Sequence, residues 1–112
     1  MAKVIPLDEI SLSETTARFQ GAEQGDGVAL SFFFTQYPKG RGPDLHFHPY
    51  SEVFLVQEGQ ATFTVGDETL VTEGGNIVVV PPETPHRFEN TGTGLLRLVG
   101  IHPSRVVQQT DL

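Results

Sequence analysis

The sequence of 112 residues predicts an all-β protein, either a sandwich or a barrel of short antiparallel strands, with little or no helix. Runs rich in valine, isoleucine, threonine and phenylalanine are separated by turns that contain glycine, proline or aspartate, at a spacing of roughly 8–12 residues. In several runs, apolar and polar residues alternate with the period of two that a half-buried strand requires. No segment of useful length shows the 3.6-residue apolar period of an amphipathic helix.

The N-terminal third of the chain contains two predicted strands. Residues 15–20 form a weak strand candidate, and residues 21–27 form a loop by composition, since they include three glycines. Residues 28–37 are a strong strand candidate with three consecutive phenylalanines, which place aromatic surface on both faces. One face is expected to line the barrel interior. The other requires a cover, which is either the N-terminal segment or a second subunit.

The segment that follows a glycine-rich and proline-rich loop contains the clearest functional pattern, His46-x-His48 followed by Glu52. Because side chains on a strand alternate between faces, the imidazoles at positions i and i+2 point the same way. The turn at Pro49 ends this strand, and Glu52 opens the next strand, which runs back beside the first. Residues 53–56 are continuously apolar, so they are predicted to form a strand that is buried on both faces.

The second half of the chain is predicted to consist of strands joined by short turns. The predicted strands are residues 60–65, 68–71, 76–80, 86–90 and 95–101. The two residues Gly66-Asp67 form a hairpin turn between the first two of these strands. The apolar run 77–80 is predicted to be buried, and a proline-rich turn leads from it to His86. The tail after residue 102 is either a crossing strand or a loosely held terminus.

Three of the four histidines and one glutamate are candidate metal ligands, namely His46, His48, His86 and Glu52. Imidazole nitrogens and a carboxylate suit one divalent transition metal such as Fe, Mn, Ni, Co or Zn. The chain has no cysteine, so a thiolate site and a disulfide framework are both excluded. Four protein ligands leave about two positions of an octahedral ion open, which favours catalysis or ligand capture over a closed structural site.

Residues 40–59 and 75–90 resemble the two signature motifs of the cupin superfamily, G-x5-H-x-H-x3-E-x6-G and G-x5-P-x-G-x2-H-x3-N. The fixed positions of the first motif are all matched, by Gly40, His46, His48, Glu52 and Gly59. The second motif is matched at Gly75, Pro81, His86 and Asn90, whereas Glu83 stands where the family usually has glycine. The resemblance implies a single cupin domain over residues 1–112, with a jelly-roll (double-stranded β-helix) barrel. It also implies that the three histidines and Glu52 bind the metal.

A small barrel of this kind is expected to hold a small molecule in an apolar cavity. The lining candidates are Phe32 or Phe34, Phe54, Phe63 and Phe88. His102 is a candidate acid–base residue or substrate contact if its strand face is internal, and the alternative is a capping or surface histidine. Glu83 either shapes the turn before His86 or extends its carboxylate to the mouth of the pocket, and we favour the turn.

Composition and charge narrow the classes of function. The formal net charge of −7, without a basic stripe, argues against nucleic acid as a partner. No apolar run approaches the length of a membrane span, and the lack of cysteine and of an apolar leader predicts a cytoplasmic protein. We expect a homodimer. The resemblance implies a small metalloenzyme of the dioxygenase, isomerase or decarboxylase type, and the alternative is a non-catalytic binder or sensor of a sugar or organic acid.

Overall fold

The structure is a computed structural model that describes residues 2–112, and it confirms an all-β jelly roll of two antiparallel five-stranded sheets. Its strands are β1 (Thr16–Gln20), β2 (Ser31–Tyr37), β3 (His46–Phe47), β4 (Glu52–Glu58), β5 (Gln60–Val65), β6 (Glu68–Glu73), β7 (Ile77–Val80), β8 (His86–Asn90), β9 (Leu96–His102) and β10 (Thr110–Asp111). The first sheet has the order β1-β2-β9-β4-β7, and the second has the order β10-β3-β8-β5-β6.

Among residues 2–112, helix is confined to two segments of four residues each, a 3-10 helix at Leu7–Ile10 and a single α-helical turn, α1, at Gly21–Gln24. The α-helical turn lies in a segment whose glycines predict a loop, and it closes with a hydrogen bond from the Gly25 N–H to the Gly21 carbonyl (3.1 Å). No helix in this part of the chain is long and apolar enough to span a membrane.

The core lies between the two sheets, where the inward-facing residues of each strand meet. Its centre is a cluster of three phenylalanines, Phe54, Phe63 and Phe88, with ring centroids 5.0–5.5 Å apart. The predicted alternation of β5 is confirmed, since Ala61, Phe63 and Val65 are all buried. Burying one phenylalanine contributes about 1.5–3 kcal/mol of hydrophobic free energy. A slip of one residue in strand register would turn these rings to solvent, so the core specifies the register.

The outer face of the first sheet is apolar and exposed, which corrects two predictions, namely that residues 53–56 are buried on both faces and that the run 77–80 is buried. Leu55 is 37% exposed, and Ile77 and Val79 on the neighbouring strand β7 are 65% and 64% exposed. Strands β4 and β7 pair antiparallel, and an antiparallel sheet needs only one face against the core. A continuous apolar run therefore does not by itself establish burial on both faces.

Strand β2 divides its aromatic side chains between the interior and the outer face. Phe33 faces inward together with Thr35. Phe34 faces outward, where it borders a shallow cleft with Leu7 of the N-terminal segment. The Arg97 guanidinium lies over the same ring, 5.6 Å from its centroid. The N-terminal segment thus supplies part of the cover that the second aromatic face requires.

The C-terminal tail crosses beside the strand that carries the first ligand pair. Strand β10 pairs antiparallel with β3, with Thr110 opposite Phe47 and Asp111 opposite His46. On its other side β3 pairs with β8, so that His46 lies opposite His86. Because β3 is only two residues long, the strands on both sides hold His46 in place.

The turn between β7 and β8 holds Glu83 in the left-handed region, with φ at 56°. This is the position at which the cupin motif has glycine, which adopts that conformation without strain. The Glu83 backbone N–H donates a hydrogen bond to the His48 carbonyl at 2.7 Å, and its side chain is exposed. Glu83 therefore shapes the turn, at the cost of a strained backbone.

We expect the Glu83→Gly variant to be more stable than the parent by about 0.5 kcal/mol, because relief of left-handed strain slightly exceeds the entropy that glycine adds to the unfolded chain. Urea unfolding of both proteins in their metal-free forms measures this difference. Glu83→Ala is the control, since alanine keeps the strain and should bring no gain. A glycine variant less stable than the parent would contradict the prediction.

Candidate metal centre

Four buried side chains converge at one end of the jelly roll. His46, His48, Glu52 and His86 each offer one ligand atom, and these atoms all lie within 4.8 Å of one another. Strand pairing brings them together, because His46 and His86 are directly opposed across β3 and β8. Glu52 comes from the other sheet, at the start of β4, and the short turn after His48 carries the chain from one sheet to the other.

The three candidate ligand histidines share one protonation pattern, which their backbone contacts impose. In each of them Nδ1 faces a main-chain carbonyl oxygen. The pairs are His46 with Asp44 (2.7 Å), His48 with Gln108 (2.8 Å) and His86 with Thr84 (2.8 Å). A carbonyl oxygen only accepts hydrogen bonds, so each Nδ1 carries the proton and each neutral ring presents a bare lone pair at Nε2. This is the orientation that metal-ligating histidines adopt.

The Glu52 carboxylate provides a test of whether these residues fit a cation. Its Oε1 atom lies 3.1 Å from His48 Nε2 and 2.9 Å from His86 Nε2. Lone pairs on two nitrogens would repel an ionised oxygen at these distances unless a proton or a cation lay among them. His48 Nε2 is also buried without a hydrogen-bond partner. The four residues therefore form a site suited to a divalent metal ion.

Burial and mutual contact set the charge of the site. Burial alone would raise the pKa of Glu52, but its contacts with His102, His48 and His86 outweigh burial and hold that pKa well below its usual range. Burial lowers the pKa of His46, which favours its neutral form. Burial also acts to lower the pKa of His48, yet Glu52 and the Gln108 carbonyl raise it overall. The negative charge of Glu52 therefore favours a positive charge beside it.

His102, at the end of β9, is buried beside the cluster but has the opposite tautomer. The Gln108 N–H donates to the Tyr50 hydroxyl (3.1 Å), and the hydroxyl oxygen lies 2.6 Å from His102 Nδ1. Donation of the Tyr50 hydroxyl proton to Nδ1 satisfies the Gln108 N–H and the Tyr50 hydroxyl, whereas His102 Nε2 is buried without a well-aligned hydrogen bond. The remaining proton of His102 is then on Nε2, 3.1 Å from Glu52 Oε2. His102 thus orients the carboxylate, so that Oε1 is left for the cation.

The structure places His102 in the interior, with 1% of its surface exposed, so the alternative of a surface or capping histidine is excluded. Sequence reasoning missed Tyr50, which it treated only as part of a turn, and the main chain of Gln108. The Tyr50 ring also stacks on His48, with centroids 5.4 Å apart and planes 3° from parallel. An aromatic residue between two ligands of one motif was the one signal available for Tyr50, and nothing in the sequence marked Gln108.

A cavity of about 150 Å³ opens beside His46, Glu52 and His102. Its remaining lining residues are Thr16, Phe33, Thr35, Tyr37, Pro43, Phe54, Phe88, Leu98, Gly100 and Gln109. Most of this wall is aromatic or aliphatic. The cavity is thus an apolar space with the metal-binding atoms at one side, as a small-molecule site requires.

The structure distinguishes among the phenylalanines that were predicted to line this cavity. Phe54 and Phe88 are on its wall, and Phe63 is fully buried in the core behind them. The prediction for Phe34 is wrong, because Phe34 is on the outer face of β2, and the lining residue of that strand is Phe33. Three consecutive phenylalanines show no alternation, so the sequence did not reveal which one faces inward. Glu83 does not line the cavity either.

The fold and the site define a small jelly-roll protein with three imidazole nitrogens and one carboxylate arranged for a divalent metal. The family model described as "Cupin domain" matches residues 33–102, and the chain belongs to this family. This match contains all four candidate ligands as well as His102.

Two curated relatives share part of the sequence. An uncharacterised protein of Methanocaldococcus jannaschii is 32% identical over 74 residues, which are 65% of this chain and 59% of that protein. A Streptomyces cyaneus protein named polyketide synthase CurC is 36% identical over 55 residues, 48% of this chain and 36% of that protein. The chain therefore matches less than two thirds of the length of either relative.

Oxalate decarboxylases are among the similar solved structures. A Bacillus subtilis oxalate decarboxylase variant superposes with a TM-score of 0.84 at 22% identity, over 95% of this chain and 31% of that chain. The oxalate decarboxylase of Lactobacillus farciminis, in complex with formate, gives a TM-score of 0.81 at 18% identity, over 94% of this chain and 34% of that chain. At these identities the likeness is one of fold.

Gly100 allows a steric test of the carboxylate position. A Cβ atom at this residue would lie 2.6 Å from Glu52 Oε2 and 3.0 Å from a ring carbon of Phe54. We expect Gly100→Ala to displace Glu52 and weaken metal affinity by about 10–100-fold, as loss of support around ligands does. Isothermal titration of the metal-free protein measures the affinity. Gly94→Ala is the control, since nothing lies within 4 Å of its added carbon, and equal affinities in the two variants would contradict the prediction.

Proposed function

We propose that this cupin is a metal-dependent enzyme that acts on a small organic substrate in the barrel cavity. One observation carries the proposal: three histidines whose backbone contacts leave Nε2 bare converge with Glu52 at the wall of an apolar cavity. When bound there, a divalent metal supplies Lewis acidity or a site for dioxygen beside the substrate. Reactions of the dioxygenase, isomerase or decarboxylase type all use such an arrangement.

The residues of the chain divide the work of such a site. His46, His48, His86 and Glu52 would hold the metal, and two of them, His46 and Glu52, border the cavity. Phe54 and Phe88 enclose the organic part of the substrate and exclude water. His102 lines the same cavity. We assign it two roles: it orients Glu52, and it contacts the substrate or transfers a proton to or from it.

Manganese is the first metal to test, because a Bacillus subtilis oxalate decarboxylase with the same fold is described as holding Mn(II) centres. Fe, Ni, Co and Zn are the remaining candidates, since all of them accept imidazole and carboxylate ligands.

A second candidate is a non-catalytic binder of a sugar or organic acid, and the contacts of His102 favour it. Nδ1 of His102 lies 2.6 Å from the Tyr50 hydroxyl, and Nε2 lies 3.1 Å from Glu52 Oε2, so both ring nitrogens are close to other residues of the protein. The other ionisable groups on the cavity wall are the ligands His46 and Glu52 and the phenol of Tyr37. A site with few free acid–base groups can hold a ligand on the metal without turning it over.

Anaerobic purification followed by reconstitution with each metal tests the proposal. We expect about one equivalent of metal by mass spectrometry, with loss of metal in His46→Ala and His86→Ala. Oxygen uptake and product analysis with catechols, flavonols and keto acids then separate the candidates. The enzyme proposal is supported if the parent protein turns over a substrate and if the rate falls in a His102→Gln variant that retains its full metal content. Metal-dependent binding without turnover supports the binder, and a parent protein that takes up none of these metals would overturn both.

We further propose that the protein is a homodimer. We also propose that it is cytoplasmic, because a chain without cysteine suits a reducing compartment. The exposed apolar side chains Leu55, Ile77 and Val79 on the outer face of the first sheet support self-association. Light scattering should then give twice the chain mass of 12.2 kDa. The double variant Ile77→Lys, Val79→Lys should be monomeric, whereas Val71→Lys, an equally exposed position on the other sheet, should stay dimeric. A monomeric parent protein would exclude the homodimer.

A further inference from the structure

We propose that the cavity selects molecules with an oxygen-donor head that carries at most one negative charge, attached to an apolar body. This inference rests on the proposed function and specifies the substrate class of the same site. Its basis is the lack of any lysine or arginine among the described residues that line the cavity.

Positive charge is absent from the cavity wall. Of the residues that line it in the described part of the chain, 2–112, none is lysine or arginine. The nearby cationic side chains are directed elsewhere. Arg97 lies over the outward ring of Phe34 and 3.8 Å from Glu58, and Arg18 pairs with Glu23 on the surface. Arg41, in the loop before β3, is exposed.

The charges of the loaded site can be counted from its ligands. A divalent cation contributes two positive charges, the ionised Glu52 contributes one negative charge, and the three histidines are neutral in the liganding tautomer. The net charge of one positive unit is balanced by one negative charge on the bound molecule. A second negative charge would be buried without a partner, and burial of an unpaired charge is strongly unfavourable.

The shape of the wall determines where such a second charge would lie. A molecule whose head binds the metal beside His46 and Glu52 extends between Phe33, Phe54 and Leu98. A terminal carboxylate would contact these apolar side chains, whereas a methyl, ethyl or phenyl group would gain free energy from the same contact. The volume of about 150 Å³ limits the part of the molecule that lies inside the cavity to roughly the size of benzene.

The hydroxyls of Thr35 and Tyr37 are the neutral polar groups on the wall of β2. Thr35 makes one long contact, 3.4 Å from the Leu98 carbonyl. Hydroxyls of this kind hydrogen-bond a neutral carbonyl, hydroxyl or amide, and they do not neutralise a carboxylate. The wall therefore admits uncharged polarity but no second anionic group.

Oxalate and oxamate provide a matched pair of ligands, because oxamate has the shape of oxalate with one carboxylate replaced by an uncharged amide. We expect the Co(II)-loaded protein to bind oxamate at least about tenfold more tightly than oxalate, a difference of about 1.4 kcal/mol. Lengthening the apolar body, from pyruvate to 2-oxobutyrate, should tighten binding further. Changes in the visible spectrum of the Co(II) ion report binding, and metal analysis after dialysis shows whether the ion was retained.

A charge-inserting variant tests the cause of this selectivity. Phe33→Arg places a guanidinium on the wall and should move the preference towards oxalate by at least about tenfold, whereas Phe33→Leu, which keeps the wall apolar, should not. Melting curves show whether both variants fold. If the arginine variant does not fold, the comparison of oxalate with oxamate on the parent protein tests the proposal by itself.

Equal or tighter binding of oxalate by the metal-loaded parent protein would overturn the proposal and leave the metal site intact. Retained metal with no binding of any of these acids would overturn it as well. A parent protein that takes up no metal would instead contradict the proposed function on which this inference rests.

Discussion

The ionised carboxylate of Glu52 is the group on which the site depends. It is 3% exposed, and a carboxylate removed from water is costly unless cations and hydrogen-bond donors surround it. Here three imidazoles surround it, from the turn after β3 and from β8 and β9. The two sheets must therefore keep a fixed relative position. Packing of the core around Phe54 sets that position, so assembly of the metal centre depends on the packing of the core.

The main chain determines the chemistry of the histidines. Carbonyl oxygens of Asp44, Thr84 and Gln108 set the ligand tautomers, and the Gln108 N–H begins the contacts that give His102 the opposite one. Gln108 belongs to the tail that crosses beside β3, and it contacts the site through its backbone carbonyl and N–H. Since any residue offers these atoms, side-chain identity at such positions carries no information about their role.

The inner and outer faces of the first sheet are both apolar, but they present different side chains. Its inner face supplies Phe33, Phe54 and Leu98 to the cavity, and Phe54 and Leu98 also belong to the buried core. Its outer face displays Ile77 and Val79 to solvent and contributes nothing to the cavity. The two faces carry different side chains because the pleat directs successive side chains of each strand to opposite sides.

The sequence by itself determined the class of fold, the two-residue turn at Gly66-Asp67 and the set of four candidate ligands, because strand period and motif spacing are local properties. Only the tertiary structure decided that Phe33 rather than Phe34 faces the cavity, since a run of identical residues looks the same after a shift of one. It also decided that Tyr50 and Gln108, 58 residues apart, meet at His102. Contacts of that kind depend on how the two sheets pack, and sheet packing leaves no periodic trace in the chain.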